Sequence, residues 1–184
     1  MPIPALFLDR DGVIIENRAN YVRFWADVEI FPQALAALAK IQHLPLKIIL
    51  VTNQSAVGRG IISLETAQQI NKRLLAEIER ANGRVDAVYL CPHAPDDHCS
   101  CRKPLPGLLQ QAAREHDIDL SRSVMIGDAL TDLAAGKAAG VSKVVLLRTG
   151  RGEVQLGLVE AEGYRPFALY DTLAAALKDL YKLG

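Results

Sequence analysis

The sequence predicts an α/β fold: a doubly wound, Rossmann-like parallel sheet with helices on both faces, no large cap domain and one small metal-binding loop. Three observations carry this reading. Short β-rich runs are apolar almost throughout, as strands covered on both faces must be. They alternate with segments of helical periodicity, the pattern of βαβ crossovers. Polar residues gather at the ends of successive runs, the edge at which such sheets bind ligands.

Taken in order, ALFLD (5–9) is the first strand. A helix over 32–43 starts at Pro32, suited to a first turn, and spaces Leu35, Leu38 and Ile41 along one face. KIILVTN (47–53) is the second strand. The helix over 63–82 opens on Ser63 as N-cap, carries Ile70, Leu74 and Ile78 together, and stops before Gly83. VDAVYLC (85–91), SVMIGD (123–128) and KVVLLRTG (143–150) are further strands, with helices expected over 105–116, 129–139 and 171–182. Residues 150–166 read as a loop. Residues 10–46, between the first two strands, are expected to be largely one helix, leaving no insertion big enough to cover a site, so short loops and the metal-binding arm must exclude water.

The chain has 184 residues, half of them hydrophobic, enough for one core burying roughly 70% of the unfolded surface. A single domain, 1–184, is the expectation, with a monomer as its state. Lys plus Arg and Asp plus Glu are 21 each, and no basic run stands out, which argues against a nucleic-acid partner. The start MPIPALFLDRDG lacks signal-peptide character and no apolar run is long enough to cross a bilayer, so no membrane partner and a cytoplasmic location are expected.

The strand ends carry the chemistry. They present Asp9 with Asp11, then Thr52 and Asn53, then Cys91, then Asp128 with Asp132. Each acid alone reads as a helix cap or a turn residue. As an ordered set they bring like charges to one edge, which raises their pKa values or demands a cation. Mg²⁺, hard and oxygen-seeking, suits a few carboxylates, a carbonyl and waters.

DRDGV (9–13), VTNQ (51–54), RKP (102–104) and GDALTD (127–132) resemble the four ordered motifs of the haloacid dehalogenase superfamily of phosphoryl-transfer enzymes, over residues 5 to 152. The resemblance implies Asp9 as the nucleophile that forms an aspartyl phosphate, and Asp11 as the acid and base that serves the leaving alcohol and then the water. It implies Mg²⁺ on the Asp9 carboxylate, the Asp11 backbone carbonyl and Asp128, with Asp132 in the outer shell. Thr52 and Lys103 would donate to the phosphoryl oxygens.

All three cysteines fall in CPHAPDDHCSCRKP (91–104). An odd count without an export signal argues against disulfides. Cys91-x-His93 and Cys99-x-Cys101 form two pairs on the arms of one loop, a Cys₃His set that closes a tetrahedron around a structural Zn²⁺. His98 is a competing ligand, and thiols gathered without a metal are the bland alternative. A loop with so little apolar surface needs a metal to order it, and ordering it aims Lys103.

This loop, with TNQSAVGRG (52–60), narrows the resemblance to a zinc-bearing branch that includes heptose-bisphosphate phosphatases and histidinol-phosphate phosphatases; CRKP and the Arg-Thr-Gly at 148–150 resemble the former more. The substrate it implies is a sugar phosphate of an envelope-sugar pathway, lined by Arg18, Asn20, Tyr21, Asn53, Gln54, Ser55 and Arg102, with Arg59 as a further cation for a second phosphate. The sequence departs from that branch at Ala129, where many heptose phosphatases carry lysine, and in a shorter stretch between its two ligand pairs. Histidinol phosphate, a nucleic-acid 3′-phosphate and, in a different class, a non-catalytic zinc-ordered binding module are the alternatives.

Overall fold

The computed structural model describes residues 1–183. Strands β1 (Ala5–Leu8), β2 (Lys47–Asn53), β3 (Ala87–Cys91), β4 (Val124–Gly127), β5 (Lys143–Leu147) and β6 (Ala168–Tyr170) form one sheet in the order β3-β2-β1-β4-β5-β6. Every pairing in it is parallel. Between them lie helices α1 (Pro32–Ile41), α2 (Ser55–Gly58), α3 (Leu64–Arg80), α4 (Gly107–His116), α5 (Leu130–Ala139), α6 (Gly152–Ala161) and α7 (Leu173–Leu180).

Because side chains alternate along a strand, each apolar run feeds two cores. Leu6, Leu8, Ile48, Leu50 and Ile126 point to one face, where α1, α3 and α7 cover them with Leu38, Ile70, Leu74 and Leu177. Phe7, Ile49, Val51, Met125 and Leu146 point to the other, against Leu109 and Ala112 of α4, Leu133 of α5 and Val159 of α6. Continuous hydrophobicity in the strands is thus a direct record of burial on both sides.

The helix ends follow their local chemistry. Pro32 begins α1 without needing a hydrogen-bond partner for its nitrogen. Ser63 Oγ accepts the Thr66 N–H at 3.0 Å and so caps α3. At α5 the third helical residue, Asp132, accepts the backbone N–H groups of Asp128 and Ala129 at 3.1 Å each, tying the end of β4 to the helix that follows.

Two sequence expectations need correction. Residues 150–166 are not a loop: α6 occupies Gly152–Ala161, and a sixth strand follows at Ala168–Tyr170. Gly152 and Gly157 lower the helix propensity of α6, its apolar Val154 and Leu158 point to solvent, and three strand residues are too few to show a period. Nor is the β1–β2 connection mostly helix. After Gly12, whose φ of +80° lies in the left-handed region, Val13, Ile14 and Ile15 turn inward and are fully buried. Ile15 makes single bridges to Asp11 and Ile30, and the chain between them forms a lip beside the carboxyl edge of the sheet before α1 begins.

Candidate active site

The strand order reverses between β1 and β4, and Asp9 and Asp128 are the residues that follow these two adjacent strands. A crevice opens there in any sheet of this order, because the connections leave in opposite directions. Here it is a pocket of about 380 Å³ whose wall includes Asp9, Asp11, Asn53, Gln54, Lys103 and Asp132.

Asp9, Asp128 and Asp132 each offer a carboxylate oxygen within 4.8 Å of the others, and the three are 5%, 0% and 1% exposed. Asp9 Oδ1 accepts the Arg10 backbone N–H at 2.7 Å and pairs with Lys103 Nζ at 3.0 Å, while Oδ2 has no hydrogen-bond partner among the described residues. Asp132 is fully committed, with Oδ1 on Lys103 Nζ at 2.7 Å and Oδ2 on the two backbone N–H groups of the α5 cap. Asp128 Oδ2 accepts from Asn17 Nδ2 at 2.5 Å and from the Arg151 N–H at 2.8 Å, and its Oδ1 meets the Arg151 guanidinium at 3.3 Å.

Lys103 is 2% exposed yet has three acceptors, the third being the Val51 carbonyl at 2.7 Å. Burial alone would lower its pKa, but Asp132 and Asp9 outweigh burial and raise it. The acids carry the opposite imbalance. Burial pushes Asp9 up to about 6 against the pull of Lys103, and burial raises Asp128 and Asp132 as well. Three buried carboxylates facing one buried ammonium and one half-exposed guanidinium make a hard, oxygen-only donor set short of positive charge, which fits Mg²⁺.

A pH dependence follows. An acid whose folded pKa is raised holds a proton that the unfolded chain has already released, so its contribution to stability is present at low pH and is lost as pH rises from about 4 through about 6. A divalent cation competes with that proton. Mg²⁺ should therefore raise the melting temperature more at pH 7.5 than at pH 5, and not at all in Asp128→Asn; equal shifts at both pH values would rule out these carboxylates as ligands.

Asp11 stands apart from the cluster. Its two oxygens receive Arg10 Nε at 3.0 Å and Nη2 at 3.1 Å, and Gln54 Nε2 donates to Oδ2 at 3.0 Å. Gln54 also donates to Thr52 Oγ1 at 2.8 Å, leaving the Thr52 proton free. Thr52 is fully buried beneath the pocket and does not form part of its wall. Asn53 lines the pocket, but both ends of its amide are taken: Nδ2 donates to the Lys103 carbonyl at 2.9 Å and Oδ1 accepts the Lys103 N–H at 3.0 Å.

Of the expected substrate contacts, Arg18, Tyr21, Asn53, Gln54, Ser55 and Arg102 lie in the wall. Asn20 and Arg59 do not. Asn20 is exposed, and Arg59, at the C-terminal end of the short α2, is carried out to solvent. Asn17, Thr131 and Arg151 join the wall without having been singled out in the sequence, and buried Arg10, outside the wall, holds Asp11 and Gln54, which line it. Arg151 directly follows the Arg-Thr-Gly at 148–150, the one signal that pointed toward it.

Two loops meet over Asp128 through glycine. Gly12 and Gly150 both have positive φ, at +80° and +60°, and a Cβ on either would collide with the Asp128 carboxylate. Thr149 Oγ1 closes the contact by donating to the Gly12 carbonyl at 2.6 Å.

On the neighbouring wall, Cys91 Sγ, His93 Nδ1, Cys99 Sγ and Cys101 Sγ converge within 4.8 Å. The spacings are 3.5 Å for Cys91–His93, 3.3 Å for His93–Cys101, 2.9 Å for Cys91–Cys101, and 3.6 Å from Cys99 to each of the other two cysteines. A tetrahedron with metal–sulfur bonds of about 2.3 Å has edges of roughly 3.7 Å, so the four atoms could hold Zn²⁺. Burial raises the Cys91 and Cys101 thiols; at Cys99, against the same effect of burial, the Arg102 backbone N–H draws the thiol down to about 7, toward the thiolate a metal needs. His98 is exposed with a left-handed backbone and is not part of the cluster. Arg102 Nη1 donates to the His93 carbonyl at 3.2 Å, binding the loop to the pocket wall.

Comparison with known proteins agrees with this geometry. A family profile described as HAD-hydrolase-like matches residues 100–176. The D-glycero-beta-D-manno-heptose-1,7-bisphosphate 7-phosphatase of Bordetella bronchiseptica is 37% identical over 151 residues, 82% of this chain and 84% of that protein. The enzyme of the same name from Pseudomonas aeruginosa is 35% identical over 95% of this chain and 96% of its own length. A crystal structure of the B. bronchiseptica D,D-heptose 1,7-bisphosphate phosphatase, complexed with magnesium and phosphate, superposes with a TM-score of 0.90 at 35% identity, covering 98% of this chain and 99% of that one.

Proposed function

Because this chain belongs to the haloacid-dehalogenase-like hydrolases, in the family of the heptose-1,7-bisphosphate 7-phosphatases, we propose that it hydrolyses the 7-phosphate of D-glycero-D-manno-heptose 1,7-bisphosphate. The observation that carries the chemistry is the Asp9 carboxylate, with one oxygen held by Lys103 and the Arg10 N–H and the other without a hydrogen-bond partner among the described residues.

Asp9 Oδ2 attacks phosphorus, forming a new P–O bond as the ester P–O bond breaks, and the Asp11 carboxyl gives its proton to the departing sugar oxygen. Water then attacks the aspartyl phosphate. Asp11 takes the proton of that water, the bond between phosphorus and Asp9 breaks, and inorganic phosphate leaves with both aspartates restored. Lys103, whose three ammonium protons are held by Asp9, Asp132 and the Val51 carbonyl, would supply positive charge beside the phosphoryl oxygens, and Thr52, from beneath the wall, keeps a free hydroxyl proton for them. Asp9, Asp128 and the Asp11 backbone carbonyl would hold Mg²⁺, with Asp132 in its outer shell; the ion supplies positive charge against a dianionic ester. Zn²⁺ on Cys91, His93, Cys99 and Cys101 would be structural.

Arg18, Arg102 and Arg151 supply the cations of the wall away from Lys103, while its acids Asp9, Asp11 and Asp132 gather with Lys103 and Arg10 at the scissile end. That balance supports an anionic far end of the substrate and disfavours histidinol phosphate, whose far end is cationic. We also propose a monomeric cytoplasmic enzyme of one domain, acting on a small sugar phosphate without a nucleic-acid or membrane partner. A formal net charge of zero supports this, and among the described residues no helix is long and apolar enough to cross a membrane.

Product analysis tests the reading. The bisphosphate should lose its 7-phosphate and keep the 1-phosphate, and heptose 7-phosphate lacking the distal group should show kcat/KM lower by about tenfold or more, the loss of one charge-assisted contact. Equal kcat/KM for the two compounds would remove the bisphosphate from consideration.

A further inference from the structure

Arg10, between the two aspartates of the first motif, is 1% exposed. A buried guanidinium must satisfy its donors, and backbone carbonyls would serve. Arg10 instead spends them on side chains: Nε and Nη2 grip both oxygens of Asp11, Nη2 also reaches Gln54 Oε1 at 3.0 Å, and Nη1 reaches Asn71 Oδ1 at 2.8 Å. Asn71 lies on α3, is itself 5% exposed, and lies outside the wall of the pocket. Gln54 returns the contact by donating to Asp11, closing a ring of three side chains.

We infer that Arg10 is a positioning residue for the Asp11 carboxyl, anchored from outside the pocket by Asn71 on α3. The inference rests on the acid–base reading of Asp11 given above. A planar guanidinium bound through two nitrogens fixes both the direction and the rotation of a carboxylate, which a lysine cannot do. Asp11 lies two residues from Asp9 yet is not part of the three-carboxylate cluster. The fork supplies the restraint that holds it on the leaving-group side, where proton transfer demands hydrogen-bond reach.

The test uses leaving groups. A sugar alkoxide needs a proton as it departs, whereas dinitrophenolate is too weak a base to need one. Single-turnover cleavage, which isolates the first chemical step, is measured for heptose bisphosphate and for 2,4-dinitrophenyl phosphate with Arg10→Lys, Asn71→Leu and, as the reference, Asp11→Asn. Arg10→Lys should slow the sugar ester about 100-fold, and the aryl ester about tenfold less than that, with KM little changed. Asn71→Leu should shift the same ratio in the same direction by a smaller factor.

Circular dichroism and melting curves establish which variants are folded, and Asn71→Leu decides the matter if Arg10→Lys is not. Equal losses on the two esters in folded Arg10→Lys or Asn71→Leu would mean that the network is only structural and would overturn the inference. If Asp11→Asn itself shows equal losses, the acid–base reading fails first. If Asp11→Asn discriminates between the esters and the other two variants do not, the positioning role alone is lost.

Discussion

Asp9→Asn should lower kcat by a factor on the order of 10⁴ to 10⁶, the scale seen when a covalent nucleophile is removed, while the protein stays folded. An amide oxygen at this position is a poor nucleophile, and the amide nitrogen's lone pair is delocalised into its carbonyl and unavailable for attack on phosphorus. The fold should tolerate the change. Lys103 keeps Asp132 at 2.7 Å and the Val51 carbonyl at 2.7 Å, so its ammonium is not left unpaired. The substitution also removes a carboxylate whose burial raises its pKa to about 6, so the metal-free variant should melt no lower than the parent at pH 7.5. Phosphate release from an aryl ester, read beside a melting curve, checks both halves. Substantial turnover by a folded Asp9→Asn would exclude Asp9 as nucleophile.

Stripping the metal from the cysteine loop should have the second-largest effect. The path from loop to chemistry is short: Cys101 precedes Arg102, Arg102 holds the His93 carbonyl, and Lys103 follows with its backbone clamped by Asn53. Residues 92–101 contribute little to either core, so without an ion the loop loses its main source of order. A strong chelator, or Cys99→Ser, should lower kcat/KM about 100-fold, because a catalytic group displaced by about 1 Å costs that much. The two cores do not depend on the loop, so hydrogen exchange should rise mainly at residues 92–105 while the strands stay protected. One zinc released per chain completes the expectation. Unchanged exchange and activity after complete removal would show that the lysine is aimed by Asn53 and the buried acids alone.

The central features were legible because each had a strong local cause. Five strands could be read from residues such as Phe7, Ile49 and Met125, which keep the runs apolar on both faces. Ser63 and Pro32 fixed helix starts through their own hydrogen-bonding chemistry. The acids and the Cys₃His loop were legible because metal chemistry restricts residue type and spacing. What escaped notice lacks such a cause. Helix α6 has no clear apolar stripe, and β6 has only three residues. Arg151 and Asn17 reach Asp128 from loops, where position depends on how the chain packs and not on periodicity. Arg59 and Asn20 lie outside the wall, since closeness in sequence to pocket residues does not by itself carry a side chain into it.

The apposed glycines at 12 and 150 bear on how this enzyme could be altered. Each leaves room for the other and for the carboxylate beneath, so neither segment can gain bulk while its counterpart stays as it is. Recombining regions from relatives should therefore succeed when both segments come from one parent and fail when they come from two, whatever the overall similarity of the donors. In this respect the stretch after β1 and the stretch after β5, though far apart along the chain, behave as a single heritable unit.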